Sequence, residues 1–191
     1  DCVVIGEGEE TFQELLDRLR IGEGLDGVAG LCFKKPGSQE VTTNLPRPLI
    51  NDLDKLTPPR WDAFNLNLYL ESYLKLDRAL PIMGRRGCAY DCSFCASLMK
   101  RKVRYRTTEN VMTELTNNIS HHGIRKFLFW DDSFLLNAKF AKSLCQQIIE
   151  EHLNIEWSCL SRVDHINRNT DLLGLMREAG CRNIGIGVES L

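Results

Sequence analysis

The chain opens on an apolar, β-branched run, Cys2-Val3-Val4-Ile5. Gly6-Glu7-Gly8-Glu9 interrupts it before Phe12, Leu15, Leu16 and Leu19 recur at helical spacing up to Gly22. The pattern predicts one strand and one helix, a single βα unit without partner strands in the chain. Two short runs, Leu31 to Lys34 and Val41 to Thr43, flank Pro36-Gly37-Ser38 and predict a hairpin that serves as a connecting ribbon. All 6 prolines fall between Pro36 and Pro81. Those crowded between Leu45 and Arg60 predict an extended linker.

Beyond Pro81 the texture changes to alternating strand and helix. Strands are predicted at Leu80 to Met83, Lys126 to Trp130, Ile155 to Leu160 and Asn183 to Val188. Between them, Thr108 is placed to cap a helix carrying Val111, Leu115 and Ile119. Asn137 is placed likewise before Phe140, Leu144 and Ile148, and Thr170 before Leu173, Met176 and Ala179, with Gly180 ending the last helix. Strands joined by crossover helices predict a parallel α/β sheet with right-handed connections, either a whole or partial barrel or a doubly wound sheet. Both architectures put their sites at the C-terminal ends of the strands.

Composition narrows the class. Of 191 residues, 43% are hydrophobic and 26% charged, as in an ordinary globular protein, and the formal net charge is -2. That charge gives no overall drive toward nucleic acid or an anionic membrane. The short basic stretch from Lys100 to Arg106 reads as a solvated loop. No apolar run approaches the roughly 20 residues that span a bilayer, so the expected compartment is the cytoplasm. The early Gly6-Glu7-Gly8 is not a dinucleotide loop, because Thr11 stands where the last glycine belongs and the acidic neighbours repel phosphate.

The 8 cysteines are unevenly spread. Cys88, Cys92 and Cys95 are packed into one loop immediately after a predicted strand, whereas Cys2, Cys32, Cys145, Cys159 and Cys181 stand singly and read as small buried hydrophobes. Three thiolates at these spacings wrap three corners of an iron–sulfur cubane and leave one iron open. Gly87 leaves room for close approach. The competing assignments are a redox dithiol with Cys92 and Cys95 as the pair, or a zinc site drawing its fourth ligand from Cys159, Cys181, His121 or His122, which would make the chain a non-catalytic, metal-stabilised binding module.

Cys88-x3-Cys92-x2-Cys95, with Phe94 directly before the last cysteine, resembles the motif of the radical SAM superfamily. The resemblance implies a [4Fe–4S] cluster on these three cysteines and S-adenosylmethionine on its open iron, with Phe94 beside the adenine. It extends to the ends of the later strands. Phe129-Trp130-Asp131-Asp132-Ser133-Phe134 ends the second, and Asp131 and Asp132 suit the methionyl amino group. Arg162 in Ser161-Arg162-Val163-Asp164 suits the carboxylate or ribose, and Glu189 and Ser190 in Gly187-Val188-Glu189-Ser190 offer further polar groups. Trp130 is expected in the core.

The N-terminal part, from Asp1 to Phe12, followed by the Gly30-Leu31 hairpin and Leu53-Asp54-Lys55-Leu56-Thr57-Pro58-Pro59-Arg60-Trp61, resembles the junction between a cobalamin-binding domain and a radical SAM core. The implied organisation is the end of a cobalamin-binding-like, doubly wound domain over residues 1–24, a hairpin and proline-rich linker over 25–78, and the first four βα-type strands of a partial radical SAM barrel over 79–191. Earlier strands of the cobalamin fold, and any histidine there to ligate cobalt, are absent, so the resemblance implies cobalamin for a complete protein of which this chain is a fragment. The implied activity is reductive cleavage of S-adenosylmethionine to a 5′-deoxyadenosyl radical, for methylation or other modification of an unreactive carbon in a small molecule. Flavodoxin or ferredoxin is the expected electron donor.

Overall fold

A computed structural model describes residues 2–35, 37–66, 79–96, 99 and 101–188. The chain divides into two compact units, Asp1–Asn51 and Asp52–Leu191.

In the first unit, strand β1 (Cys2–Val4) leads to helix α1 (Glu9–Ile21), and β2 (Leu31–Lys34) and β3 (Val41–Thr43) follow. The predicted βα unit and hairpin are present, but the hairpin is no mere connector. β2 pairs antiparallel with β1, Val3 opposite Cys32, and with β3 on its other side, Phe33 opposite Thr42. β1 therefore has a partner within the chain, contrary to the expectation from its short isolated run. The reason lies in β2, whose alternation turns Leu31 and Phe33 inward to pack with Leu15 and Val28. Arg47 fastens the helix to the connecting chain: it pairs with Glu14 and donates to Thr11 Oγ1 at 2.8 Å, while Thr11 donates to the Ala29 carbonyl at 2.9 Å.

In the second unit, part of the predicted linker is folded structure. Trp61 is buried in the main core, and Asp54 accepts the backbone N–H of Thr107 at 3.0 Å. The unit then runs β4 (Leu80–Ile82), β5 (Arg85–Arg86), β6 (Arg104–Tyr105), α2 (Thr108–His122), β7 (Lys126–Phe129), α3 (Ala138–Glu150), β8 (Glu156–Leu160), α4 (Val163–Arg168), α5 (Leu172–Glu178) and β9 (Cys181–Gly185). Strands β4, β7, β8 and β9 form a parallel sheet in that order. Each strand lies beside its predecessor, so the winding never reverses; this is the order of a barrel segment, whereas a doubly wound sheet changes direction at a switch point.

The alternation along each strand sorts its two faces. Leu80, Ile82, Phe127, Phe129, Trp157 and Cys159 join the apolar core with α2, α3 and α5. Phe129, Phe134 and Trp157 form its centre, with ring centroids 5.1 to 5.2 Å apart. The opposite face carries one row across all four strands, Pro81, Leu128, Ser158 and Asn183, aligned by the strand register.

Several boundaries differ from expectation. Thr107, not Thr108, caps α2, accepting the N–H of Asn110, whereas Asn137 caps α3 as predicted. Thr170 caps nothing: α5 begins at Leu172, and the short α4 precedes it. The last strand starts two residues earlier than predicted and ends at Gly185. Gly180 sets that start. Its φ of +97° is left-handed and the Ile155 carbonyl occupies the place of a Cβ, so the chain turns there and pairs at once, Cys181 opposite Trp157. Polar Arg182 hides this early start from a hydrophobic pattern.

Candidate functional site

The three clustered cysteines sit on a loop that leaves the end of β4. β5 and β6 pair antiparallel, Arg85 opposite Tyr105, and form a two-residue ribbon that closes the loop at its base. Above the ribbon, Arg101 N–H donates to the Cys88 carbonyl at 2.6 Å, and Cys88 N–H to the Met99 carbonyl at 3.4 Å. Gly87 makes this closure possible, since its φ is +89° and a Cβ would fall on the Lys102 carbonyl oxygen. A turn then joins Cys95 N–H to the Cys92 carbonyl at 3.1 Å.

Arg106 braces the base. Its guanidinium bonds the Met83 carbonyl at 2.9 Å, Asn110 Oδ1 at 2.6 Å and the buried Glu114 carboxylate at 2.5 Å, and its N–H donates to Gly84. From β7, Asp131 reaches across to the same base. Only 2% exposed, its carboxylate accepts the backbone N–H groups of Gly84 at 3.1 Å and Arg85 at 2.9 Å. Burial pushes its pKa up to about 6, against the opposing pull of the Arg85 guanidinium and the two amides. Arg85 in turn donates to the Ser133 carbonyl at 2.7 Å.

The tip of the loop is held by a third set of contacts. Tyr90, between Cys88 and Cys92, places its hydroxyl 2.7 Å from Nε2 of His165, which is 4% exposed. The other ring nitrogen of His165 is 2.6 Å from the Ser133 hydroxyl, and Ser133 is 3.2 Å from Ser161. Burial depresses the His165 pKa, which favours the neutral ring. A neutral ring donates from one nitrogen and accepts at the other, so it links the Ser133 hydroxyl, which also accepts the Arg162 N–H at 3.2 Å, to the Tyr90 hydroxyl, which lies 3.5 Å from the Asp164 carboxylate. The Arg162 guanidinium lies over the Tyr90 ring, 4.1 Å from its centroid, and donates to Asp164 at 2.9 Å.

The expected site residues fare differently. Arg162 is brought to the cysteine loop, through Tyr90. Asp132 is exposed at the end of β7, and Phe94 is 70% exposed beside Cys95. Asp131 is committed to backbone amides, so its carboxylate serves the loop base. Glu189 and Ser190 lie outside the described residues. Trp130, expected in the core, is 51% exposed, because Phe127 and Phe129 take the helix-facing positions of β7 and the strand ends at Phe129. Tyr90, Ser133, His165 and Arg106 were not singled out by the sequence. Tyr90 alone carried a signal, an amphipathic ring enclosed between two of the three clustered cysteines.

Among the described residues no three Cys, His, Asp or Glu side chains converge on a single ion. A cubane asks for a different arrangement, since each thiolate takes its own iron and three thiols spread around one loop need no common focus. The donor set fits that group: none of the three is in a disulfide, and one closed loop carries all of them. The zinc alternatives Cys159 and Cys181 are buried in the core. A hydrogen bond between them and burial raise the Cys159 thiol, and burial pushes Cys145 up to about 12. Cys2 departs from the buried role expected of the lone cysteines, being exposed on β1.

Residues 83–191 match the radical SAM superfamily. The whole chain is 36% identical to an uncharacterized methyltransferase of Pyrococcus horikoshii, spanning 40% of that protein. It is 30% identical to the anaerobic magnesium-protoporphyrin IX monomethyl ester cyclase of Cereibacter sphaeroides, spanning 31% of it. The fold aligns with the radical S-adenosylmethionine methyltransferase TsrM of Kitasatospora setae, solved with cobalamin and a [4Fe–4S] cluster bound, at a TM-score of 0.71 and 22% identity, over 98% of this chain and 38% of that one. The chain thus spans less than half the length of each.

Proposed function

This chain belongs to the radical SAM superfamily, and from that premise we propose that it binds a [4Fe–4S] cluster through Cys88, Cys92 and Cys95 and cleaves S-adenosylmethionine to modify an unreactive carbon of a small molecule. The cluster, when bound, supplies the electron that breaks the sulfonium into methionine and a 5′-deoxyadenosyl radical, which takes hydrogen from the substrate. The observation that carries the proposal is the loop itself: three thiols on one closed turn, anchored to the ends of β4, β7 and β8 where a barrel keeps its site.

The chain's own groups have separable tasks in this scheme. Asp132 is accessible to the methionyl ammonium and Phe94 to the adenine, while Arg162 combines a cation with a place against the loop. Glu189 and Ser190 are assigned to the same cofactor. The kinship with a methyltransferase and a cyclase supports carbon modification as the reaction class, with methylation as the leading subclass. Residues 1–24 are assigned to the edge of a cobalamin-binding-like domain, so that cobalamin belongs to the complete protein. A flavodoxin or ferredoxin is assigned as reductant. No helix among the described residues is long and apolar enough to cross a membrane.

Anaerobic reconstitution followed by iron and sulfide assay tests the proposal. About four irons per chain, and a reduced-cluster paramagnetic spectrum that changes on adding S-adenosylmethionine, are expected. One tightly held zinc and no sulfide would overturn it in favour of a structural metal module.

A further inference from the structure

The hydrogen-bonded path from Tyr90 through His165 to Ser133 has no place in the cleavage chemistry, yet it joins three separate strand ends. Tyr90 comes from the loop after β4, Ser133 from the end of β7, and His165 from α4, just beyond β8. His165 is the middle of the path and is buried, with both ring nitrogens engaged at 2.6 and 2.7 Å. A buried imidazole with two short partners is rigid, because either lost bond leaves an unsatisfied polar atom. Tyr90 is gripped twice, at its hydroxyl by His165 and on its face by Arg162, and its rings lie tilted against His165 with centroids 5.6 Å apart.

Resting on the cluster assignment above, we infer that His165 is a positioning residue for the iron–sulfur site. Through Tyr90 it fixes the arm of the loop between Cys88 and Cys92 against the sheet end, and so holds two of the three thiolates at the spacing a cluster requires. The three-residue spacing between these cysteines is the longer of the two in the motif, and the Cys92 carbonyl already ties the shorter arm to Cys95 through a backbone turn. In the longer arm Asp91 pairs with Arg101 of the loop's own return at 3.2 Å, and Tyr90 is the residue that ties the arm to the sheet end. Groups that orient metal ligands without touching the metal commonly change affinity or activity by roughly 10–100-fold when removed.

The two nitrogens of His165 permit a test that separates positioning from general stability. A glutamine amide reaches where Nε2 stands and keeps the bond to Tyr90; an asparagine amide reaches only where Nδ1 stands and keeps Ser133. The full chain, reconstituted anaerobically with iron and sulfide, is challenged with a ferrous chelator, and the rate of iron loss is followed with the paramagnetic spectrum of the reduced cluster. Tyr90→Phe and His165→Asn are each expected to lose iron about tenfold faster than the parent and to show an altered spectrum. His165→Gln should stay within about twofold of the parent, and the Tyr90→Phe/His165→Asn pair should be no worse than either single change, because they break one path. A parent chain that assembles a cluster whose loss rate and spectrum are the same in all variants would overturn the positioning role and leave the cluster assignment standing. A parent chain that assembles no cluster would overturn both.

Discussion

The carboxylate of Asp131, at the end of β7, accepts the backbone N–H of Arg85, at the start of the cysteine loop, at 2.9 Å. The bond joins two strand ends that are distant in sequence and fixes where the loop leaves the sheet. It also puts an acid in a place where burial outweighs its favourable partners and its pKa stands at about 6.

That burial has a pH signature. Below about pH 4, Asp131 is protonated whether folded or not, and burial carries no penalty. As pH rises toward about 6, the unfolded chain ionises first and folding must take up a proton, so stability falls and the full cost is reached above pH 6. Asp131→Asn has no such titration. The stability of the parent minus that of the variant should fall by about 2 kcal/mol between about pH 4.5 and pH 7.5, read from urea unfolding. A difference that grew with pH would show the amides and Arg85 to dominate over burial.

Replacing any one of Cys88, Cys92 or Cys95 by Ala should abolish cluster assembly, whereas Cys145→Ala, deep in the core, should leave about four irons per chain. The iron-to-protein ratio after anaerobic desalting decides it, and equal loss in all four variants would remove the special standing of the loop.

Asp132 and Asp131 should behave differently although they are adjacent. Asp132 is exposed, so Asp132→Ala should leave the cluster intact and weaken the spectral response to S-adenosylmethionine about tenfold in apparent affinity, the scale of one lost charged hydrogen bond. A titration unchanged from the parent would free Asp132 from any cofactor role.

Arg106→Ala should be among the most destabilising single changes at the loop base. It removes the partner of Glu114, a carboxylate whose side chain is 5% exposed, and leaves a charge without compensation at a cost of ~3–5 kcal/mol. Adding Glu114→Ala to the variant should recover part of that loss in denaturant unfolding, since the stranded charge is then gone.

Periodicity located every strand of the parallel sheet and the longer helices between them, though not the short α4, because Phe127-Leu128-Phe129 and Trp157-Ser158-Cys159 must bury one face whatever the later tertiary detail. Backbone geometry was less legible. The early start of β9 depends on Gly180 beside Ile155, and the place of β1 in a sheet depends on a hairpin nearly thirty positions away in the chain, relations between residues that no local window contains. The site divided in the same way. Cysteine spacing is written in a stretch of eight residues and was readable, whereas Asp131, Ser133 and His165 took their roles from strand ends meeting in space. Asp131 in particular carried the residue type of a ligand and the burial of a fastener.

The two-residue ribbon of β5 and β6 brings the beginning and end of the cysteine loop to a single neck. The loop is fastened at its base through Asp131 and Arg106 and at its tip through Tyr90, and residues added between these anchors cost little, since closure entropy grows only with the logarithm of loop length. The register of β4 against β7 is set within the sheet itself, Leu80 opposite Phe127 and Ile82 opposite Phe129. The chemistry of this protein is in that sense a head pinned to the sheet at base and tip, with room to change only in the stretches between the pins.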